Sequence, residues 1–175
     1  MKNILLIITS FFLVGGSIQS VNGQNRVTLK GNFTDYENQQ ILPGVRVTVF
    51  NGKDILETTD TNVENGAFSL SLEETFEKIK FSYPYYYPLI IENLNRHEGK
   101  NLDLGTLQLI EIPFSFTRYV SKKAEREDKK QSKHQLKKWR EGIIINSDDR
   151  NYVMRLKKKS GEYSFYIDYK EFKKE

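Results

Sequence analysis

Four tyrosines lie within five positions of one short segment, and their rings could bind a partner. They are Tyr83, Tyr85, Tyr86 and Tyr87. Exposed phenol rings stack on sugars or pack into protein interfaces, where tyrosine is common. Successive side chains of an extended segment point to opposite faces, so we expect about half of these rings in the core, and the others are left as a candidate binding surface.

A second candidate contact is the lysine-rich segment 122–140. Its candidate contact residues are Lys129, Lys130, Lys133, Lys137, Lys138 and Trp139. Basic residues with an interleaved aromatic can bind nucleic acid. However, residues 4–14 form an apolar run typical of a secretory leader, and export argues against nucleic acid as the partner. Nearby Glu125, Glu127 and Asp128 dilute the positive charge, which favours a solvated linker helix. The alternative is contact with an anionic envelope surface or an acidic partner, which could be the acidic first half of this chain.

The residues that most often carry catalysis or bind metal are scarce. The chain has no cysteine and two histidines, and its serines lack a G-x-S-x-G context. An oxygen-rich loop follows Asp60, but a calcium loop of the EF-hand type needs glycine at its sixth position and glutamate at its twelfth, where this chain has Asn65 and Ser71. A tight hairpin explains this loop better. We therefore predict no catalytic residues, no metal site and no cofactor.

The first residues resemble a secretory leader. Lys2 precedes the apolar run at residues 4–14, and Val21 and Gly23 provide small residues before a cleavage site near Gln24. An uncleaved N-terminal anchor is the alternative, although the run is shorter than the roughly 20 residues of a membrane span. Without cysteine, the lipid attachment point of a bacterial lipoprotein is missing. We expect a periplasmic, outer-membrane-associated or secreted protein.

The elements that must position these residues are mainly strands. Valines alternate with other residues at 45–49, and Phe68, Leu70 and Leu72 alternate with small residues. This period of two is typical of half-buried strands. Asn51-Gly52 is a strong signal for a tight turn between two of them. Several short strands at this spacing predict an antiparallel sandwich.

The second part of the chain differs in charge and in pattern. Residues 24–117 contain 8 basic and 13 acidic residues, whereas residues 118–175 contain 18 basic and 10 acidic residues. The pattern predicts a leader at 1–23, a β-sandwich at 24–117, a basic helical linker at 118–142 and a C-terminal β-hairpin or meander at 143–175. On the last predicted strand, four apolar or aromatic residues share one face, and two or three isolated strands need something to pack against. These are Tyr163, Phe165, Ile167 and Tyr169.

The order of four segments resembles the carboxypeptidase regulatory-like domain. They are residues 27–34, LPGVRVTV at 42–49, TTDT at 58–61 and ENGAFSL at 64–70. The glycine-tyrosine pair of that family has its counterpart at residues 83–86, where the glycine is replaced. The resemblance covers residues 26–112. It implies a transthyretin-like sandwich of seven antiparallel strands without catalytic residues, a module that usually accompanies peptidases, outer-membrane receptors or surface proteins.

We therefore expect an exported, non-catalytic binding or scaffolding module of the bacterial cell envelope, with another envelope protein or a glycan as its partner. One alternative is an accessory subunit that docks peripherally on an outer-membrane receptor or on the membrane surface. Another is a small hydrolase, which would need a cleft with paired carboxylates whose pKa values are perturbed.

Overall fold

The structure, a computed structural model, describes residues 26–72, 75–94, 101–113, 121–147 and 150–169. The predicted leader and His97 lie outside the described residues. Seven strands come first, then one helix, then three strands. They are β1 (Val27–Asp35), β2 (Arg46–Asn51), β3 (Asp54–Asp60), β4 (Ala67–Leu72), β5 (Lys78–Ser82), β6 (Leu89–Glu92), β7 (Leu102–Leu109), α1 (Lys122–Glu141), β8 (Ile143–Ser147), β9 (Arg150–Lys159) and β10 (Glu162–Asp168).

Two sheets form a sandwich. The smaller sheet has the strand order β4-β1-β7, and the larger has the order β3-β2-β5-β6-β10-β9-β8. The first seven strands thus supply three strands to one layer and four to the other. The prediction of an all-β sandwich followed by a helix and a C-terminal meander is confirmed.

The pairing departs from a purely antiparallel arrangement at two places. Strand β1 pairs with β7 in parallel, and β10 pairs with β6 in parallel. Both pairs join strands that are far apart in the chain, and only such long connections allow parallel neighbours. The C-terminal meander is therefore an extension of the larger sheet, and it gains the packing partner that its apolar face requires.

The core is one continuous cluster that includes residues from both parts of the chain. At its centre the rings of Phe33 and Phe81 lie 4.8 Å apart, and those of Phe33 and Phe68 lie 5.7 Å apart. From the C-terminal strands, Phe165 and Ile167 are fully buried in the same cluster. Burying large apolar side chains is the main favourable term in folding, so both parts of the chain stabilise one fold.

The loop after Asp60 is a tight turn built by Asn62. The Asn62 side-chain oxygen accepts from the backbone N–H of Glu64 at 2.8 Å, and the Gly66 N–H donates to the Asn62 carbonyl at 2.9 Å. Gly66 has a φ of 65°, and a Cβ there would lie 2.9 Å from Ile41 Cγ2. Asp60, which precedes this loop, pairs with Arg46 at 3.0 Å. The loop is therefore a tight turn, but the prediction of a hairpin is wrong, because β3 and β4 on its two sides lie in different sheets and do not pair.

Helix α1 is bounded by recognisable caps. The Ser121 hydroxyl accepts from the Ala124 N–H at 3.2 Å, and Gly142 ends the helix with a φ of 127°. Serine satisfies an otherwise unpaired N–H of the first turn, and glycine adopts positive φ without strain. Among the described residues, no helix has both the length and the apolar character to cross a membrane.

Candidate binding surfaces of helix α1

The tyrosine segment mostly packs inward. Tyr83 and Tyr86 are half-buried with their rings 5.4 Å apart, and Tyr87 lies edge-on to Phe165 at 5.7 Å. Tyr85 is the exposed member, with 64% of its surface accessible and a φ of 69°. The candidate tyrosine surface is thus reduced to one ring, since the other three pack against the core.

A buried carboxylate holds the tyrosine segment to the end of β1. Asp35 is 3% exposed, and its Oδ2 accepts from the Tyr86 hydroxyl at 2.7 Å. Its Oδ1 accepts from the N–H groups of Glu37 at 2.8 Å and Asn38 at 2.9 Å. These charge-assisted bonds offset the cost of burying the carboxylate. Burial, reinforced by the bond to Asp35, raises the pKa of Tyr86, so its hydroxyl remains a donor.

Asp35 was missed in the sequence, although a signal for it exists. It follows Val27, Leu29 and Phe33 at the inward positions of β1. A carboxylate at an inward strand position must find donors, because an unpaired buried charge is very unfavourable. The strand pattern thus identifies Asp35 as a buried acid. It does not identify the hydrogen-bond donor, because Tyr86 lies 51 positions away in the sequence.

Trp139 anchors the helix and does not belong to an exposed basic surface. It is 7% exposed, and its ring lies edge-on to Phe165 at 5.7 Å and to Tyr87 at 5.9 Å. It is the buried residue of α1, and it lies in the last turn of the helix. The sequence placed Trp139 among the basic contacts because its neighbours are lysines. This prediction is wrong for Trp139, because its ring is buried against Phe165 of the C-terminal strands.

Six of the nine lysine and arginine residues of α1 lie on one side of the helix. All six are exposed and lie within an arc of about 80°, since each residue advances a helix by about 100°. This basic ridge consists of Lys122, Arg126, Lys129, Lys133, Lys137 and Arg140. Lys129, Lys133 and Lys137 were predicted as contacts. Lys122, Arg126 and Arg140 were not, because only the helical geometry shows that they lie on the same side of α1.

The acidic residues of the helix lie outside that arc. Glu125 forms an ion pair with Lys129, and Glu141 lies 3.7 Å from Lys137 at the edge of the ridge. Arg140 donates to the Tyr163 hydroxyl at 3.2 Å. The expected dilution of positive charge therefore remains at the edges of the ridge, where two lysines pair with acids, whereas Glu127 and Asp128 lie on other sides of the helix.

The other side of the helix borders an open cleft that includes both remaining predicted lysine contacts. Lys138 lies well away from the ridge, whereas Lys130 lies between the ridge and the cleft, about 20° beyond Lys137. The cleft has a volume of about 750 Å³. Tyr36 faces the helix across it. The lining of this α1 cleft consists of Tyr36, Glu127, Lys130, Gln131, His134, Gln135, Lys138 and Trp139. Apart from the two aromatic residues, every lining residue is polar.

A metal site is not formed by the part of the chain that the structure describes, where no three histidine, cysteine or acidic side chains cluster suitably. His134 lies in the cleft beside glutamines and lysines, and His97 lies outside the described residues. What the described surface offers is therefore a row of cations on one side of α1 and an aromatic and amide-lined cleft on the other.

Comparison with known proteins adds little to this geometry. The chain matches no protein-family model and no curated protein. Among solved structures, a 9R-lipoxygenase from Cyanothece PCC8801 is similar to 67% of this chain, with 13% identity and a TM-score of 0.36. This chain spans 19% of the lipoxygenase chain. A likeness at this level says nothing about the activity of the present protein.

Proposed function

We propose that the protein is an exported, non-catalytic binding module of the bacterial cell envelope whose basic ridge binds an anionic envelope glycan. The observation that carries this proposal is the sorting of six cations onto one exposed face of α1. From Lys122 to Arg140 the ridge is about 27 Å long, at about 1.5 Å per residue. A straight row of cations suits a linear polyanion, because charges repeat along both.

The rest of the structure supports a binding role by keeping the ridge available. Trp139 fixes one end of α1 to the core, and the ridge side chains are exposed. The resemblance of residues 26–112 to an accessory module supports the non-catalytic part of the proposal. The leader-like residues 1–23 support export and make a glycan a better partner than nucleic acid.

The test compares two triple variants with the same change in net charge. Lys129→Gln, Lys133→Gln and Lys137→Gln remove half of the ridge, while Lys157→Gln, Lys158→Gln and Lys159→Gln remove three exposed lysines of β9. Binding to polygalacturonate, a linear polycarboxylate, is measured by calorimetry at several salt concentrations. Each lysine near an anionic surface contributes about 1 kcal/mol, so the ridge variant is expected to bind on the order of 100-fold more weakly.

The control variant is expected to lose much less affinity, and the wild-type affinity is expected to fall as salt increases. Equal losses in the two variants would mean that net charge alone attracts the polymer, and the ridge proposal would be wrong. A parallel titration with vesicles that contain anionic lipid tests the docked-accessory alternative. Ridge-dependent binding to vesicles, without binding to the polymer, would favour that alternative.

A further inference from the structure

We infer that the α1 cleft is a binding site for one or two sugar units of an acidic saccharide that carries uronic-acid carboxylates. The inference concerns the side of α1 that borders the cleft and rests on residues other than those of the basic ridge. The cleft volume of about 750 Å³ lies within the range of about 300 to 1,000 Å³ that is usual for ligand sites.

The backbone that carries the Tyr36 ring is fixed by hydrogen bonds, and the ring itself packs partly against the core. The Tyr36 N–H donates to the Leu109 carbonyl at 2.9 Å, and the Tyr36 carbonyl accepts from the Gln39 side chain at 2.8 Å. Asp35, the preceding residue, is fixed by its bond to Tyr86. A wall that is already ordered loses little entropy on binding, which favours affinity.

The polar lining fits sugar hydroxyls better than it fits other ligands. Gln131 and Gln135 are one helical turn apart, and each amide offers both a donor and an acceptor. Neighbouring hydroxyls on a sugar ring need such mixed partners, while the apolar face of the ring packs on an aromatic side chain such as Tyr36. The lining contains no aliphatic side chain that would bind an apolar peptide residue.

The charges of the cleft favour a carboxylate on the sugar. Lys130 and Lys138 lie two turns apart at the cleft, where each could pair with a carboxylate. Glu127 also lines the cleft and opposes a densely charged ligand such as a phosphate cluster. A saccharide with one carboxylate per ring satisfies both constraints.

The chain contains one tryptophan, and Trp139 lines the cleft, so its fluorescence reports on binding there. The purified protein is titrated with digalacturonate and with α-1,4-linked galactobiose, which has the same ring skeleton without carboxylates. Digalacturonate is expected to change the Trp139 emission and to bind at least about ten-fold more tightly than galactobiose.

Two cleft variants, Tyr36→Ala and the double variant Gln131→Ala with Gln135→Ala, are each expected to weaken digalacturonate binding by about ten-fold or more. Circular dichroism checks that they fold. The ridge variant Lys133→Gln serves as the matched control on the same helix and is expected to keep the wild-type affinity for the disaccharide.

The inference is overturned if digalacturonate does not bind, if galactobiose binds as tightly, or if Lys133→Gln weakens binding as much as the cleft variants do. This test is separable from that of the ridge. Loss of polymer binding in the triple ridge variant, with intact binding of the disaccharide, supports both sites. Intact polymer binding in that variant contradicts only the ridge.

Discussion

Asp35 shows how one residue at an inward position can organise distant parts of a fold. Its carboxylate joins the turn after β1 to the tyrosine segment through the Tyr86 hydroxyl at 2.7 Å. The same turn presents Tyr36 to the α1 cleft. The tyrosine segment therefore stabilises the turn that carries Tyr36, through the hydrogen bond of Tyr86 and the packing of its rings.

Replacing Tyr86 with phenylalanine should destabilise the fold measurably. The variant keeps the ring packing on Tyr83 but removes a donor to a buried carboxylate. Bonds to charged groups contribute about 1.5 to 3 kcal/mol, so we expect a loss of that size in the free energy of unfolding measured with urea. Tyr85→Phe is the matched control and should change it by less than about 0.5 kcal/mol, because Tyr85 is exposed. Equal effects in the two variants would contradict the role of Asp35.

Alkaline pH should weaken the fold through its buried tyrosines. Burial raises the pKa of Tyr86 and of Tyr152 above the ordinary value, so the folded state binds their protons more tightly than the unfolded state does. This contribution is complete below the unfolded pKa of about 10 and is lost as pH rises further. We expect the free energy of unfolding to decline above about pH 10 and to decline less steeply in Tyr86→Phe. Identical slopes for wild type and variant would contradict this assignment.

At the scale of elements, helix α1 has three distinct sides: Trp139 anchors it, the basic ridge faces outward, and the amide-lined side borders the cleft. Its 20 residues contain few apolar side chains, so the anchor in the last turn contributes disproportionately to holding it on the sandwich. Without such an anchor, a lysine-rich helix would bury little apolar surface against the sheets. It would then be unstable, because helical stability in proteins comes mostly from tertiary contacts.

Trp139→Ala should release the helix while the sheets persist. Removing a buried aromatic side chain typically costs about 3 to 5 kcal/mol. We expect hydrogen exchange to accelerate throughout residues 122–141, with the N–H groups of β1 and β2 less affected. Lys137→Ala, two positions away on the exposed ridge, provides the control and should leave exchange unchanged. Equal protection of α1 in wild type and Trp139→Ala would show that other contacts hold the helix.

The elements that sequence patterns predict well are those with one buried face. Strand β4 shows clear alternation, because Phe68, Leu70 and Leu72 are buried and Ser69 and Ser71 between them are exposed. Strand β6 shows no alternation, since Leu89, Ile90 and Ile91 are all buried. It is a central strand, and Tyr166 lies beside Ile90 on the outer face under the amino groups of Lys157 and Lys159. Period-two patterns cannot reveal a strand that is covered on both faces.

The candidate site was less predictable than the sheets. The lysines of α1 could be named from composition, but their position relative to the acids depends on helical register, and the cleft depends on where Tyr36 lies in the turn after β1. Tyr85 breaks the expected alternation of the tyrosine segment because its φ is positive, a backbone conformation that residues other than glycine rarely adopt. These features arise from contacts between distant residues, which local patterns do not encode.

At the scale of the whole molecule, the two parts of the chain share one larger sheet and one core. Strand β10 pairs with β6 over four residues, from Leu89 to Glu92. Phe165 contacts Tyr87, so the C-terminal strands complete the packing around the tyrosine segment. A division at residue 117 follows the composition of the chain, but it cuts through a continuous hydrophobic cluster.

A chain that ends at residue 117 should therefore fail to behave as a folded monomer. It would expose β6 along its whole edge and leave Tyr87 and Ile91 without their covering residues. Unprotected, apolar strand edges are sites of aggregation. We expect size-exclusion chromatography to show aggregates and thermal unfolding to lose its cooperativity. A monomer with a sharp unfolding transition would show that the first seven strands are an independent domain.

The place of β10 also determines when the fold can close. In the larger sheet this final described strand lies between β6, formed early in the chain, and β9. Since the chain emerges from its N-terminal end during synthesis or export, the first four strands of that layer must wait, with one side unpaired, until the residues of β10 have emerged. Such late closure exposes aggregation-prone edges during synthesis. A holding chaperone that binds the nascent segment around Leu89 would therefore be expected to raise the yield of correctly folded protein.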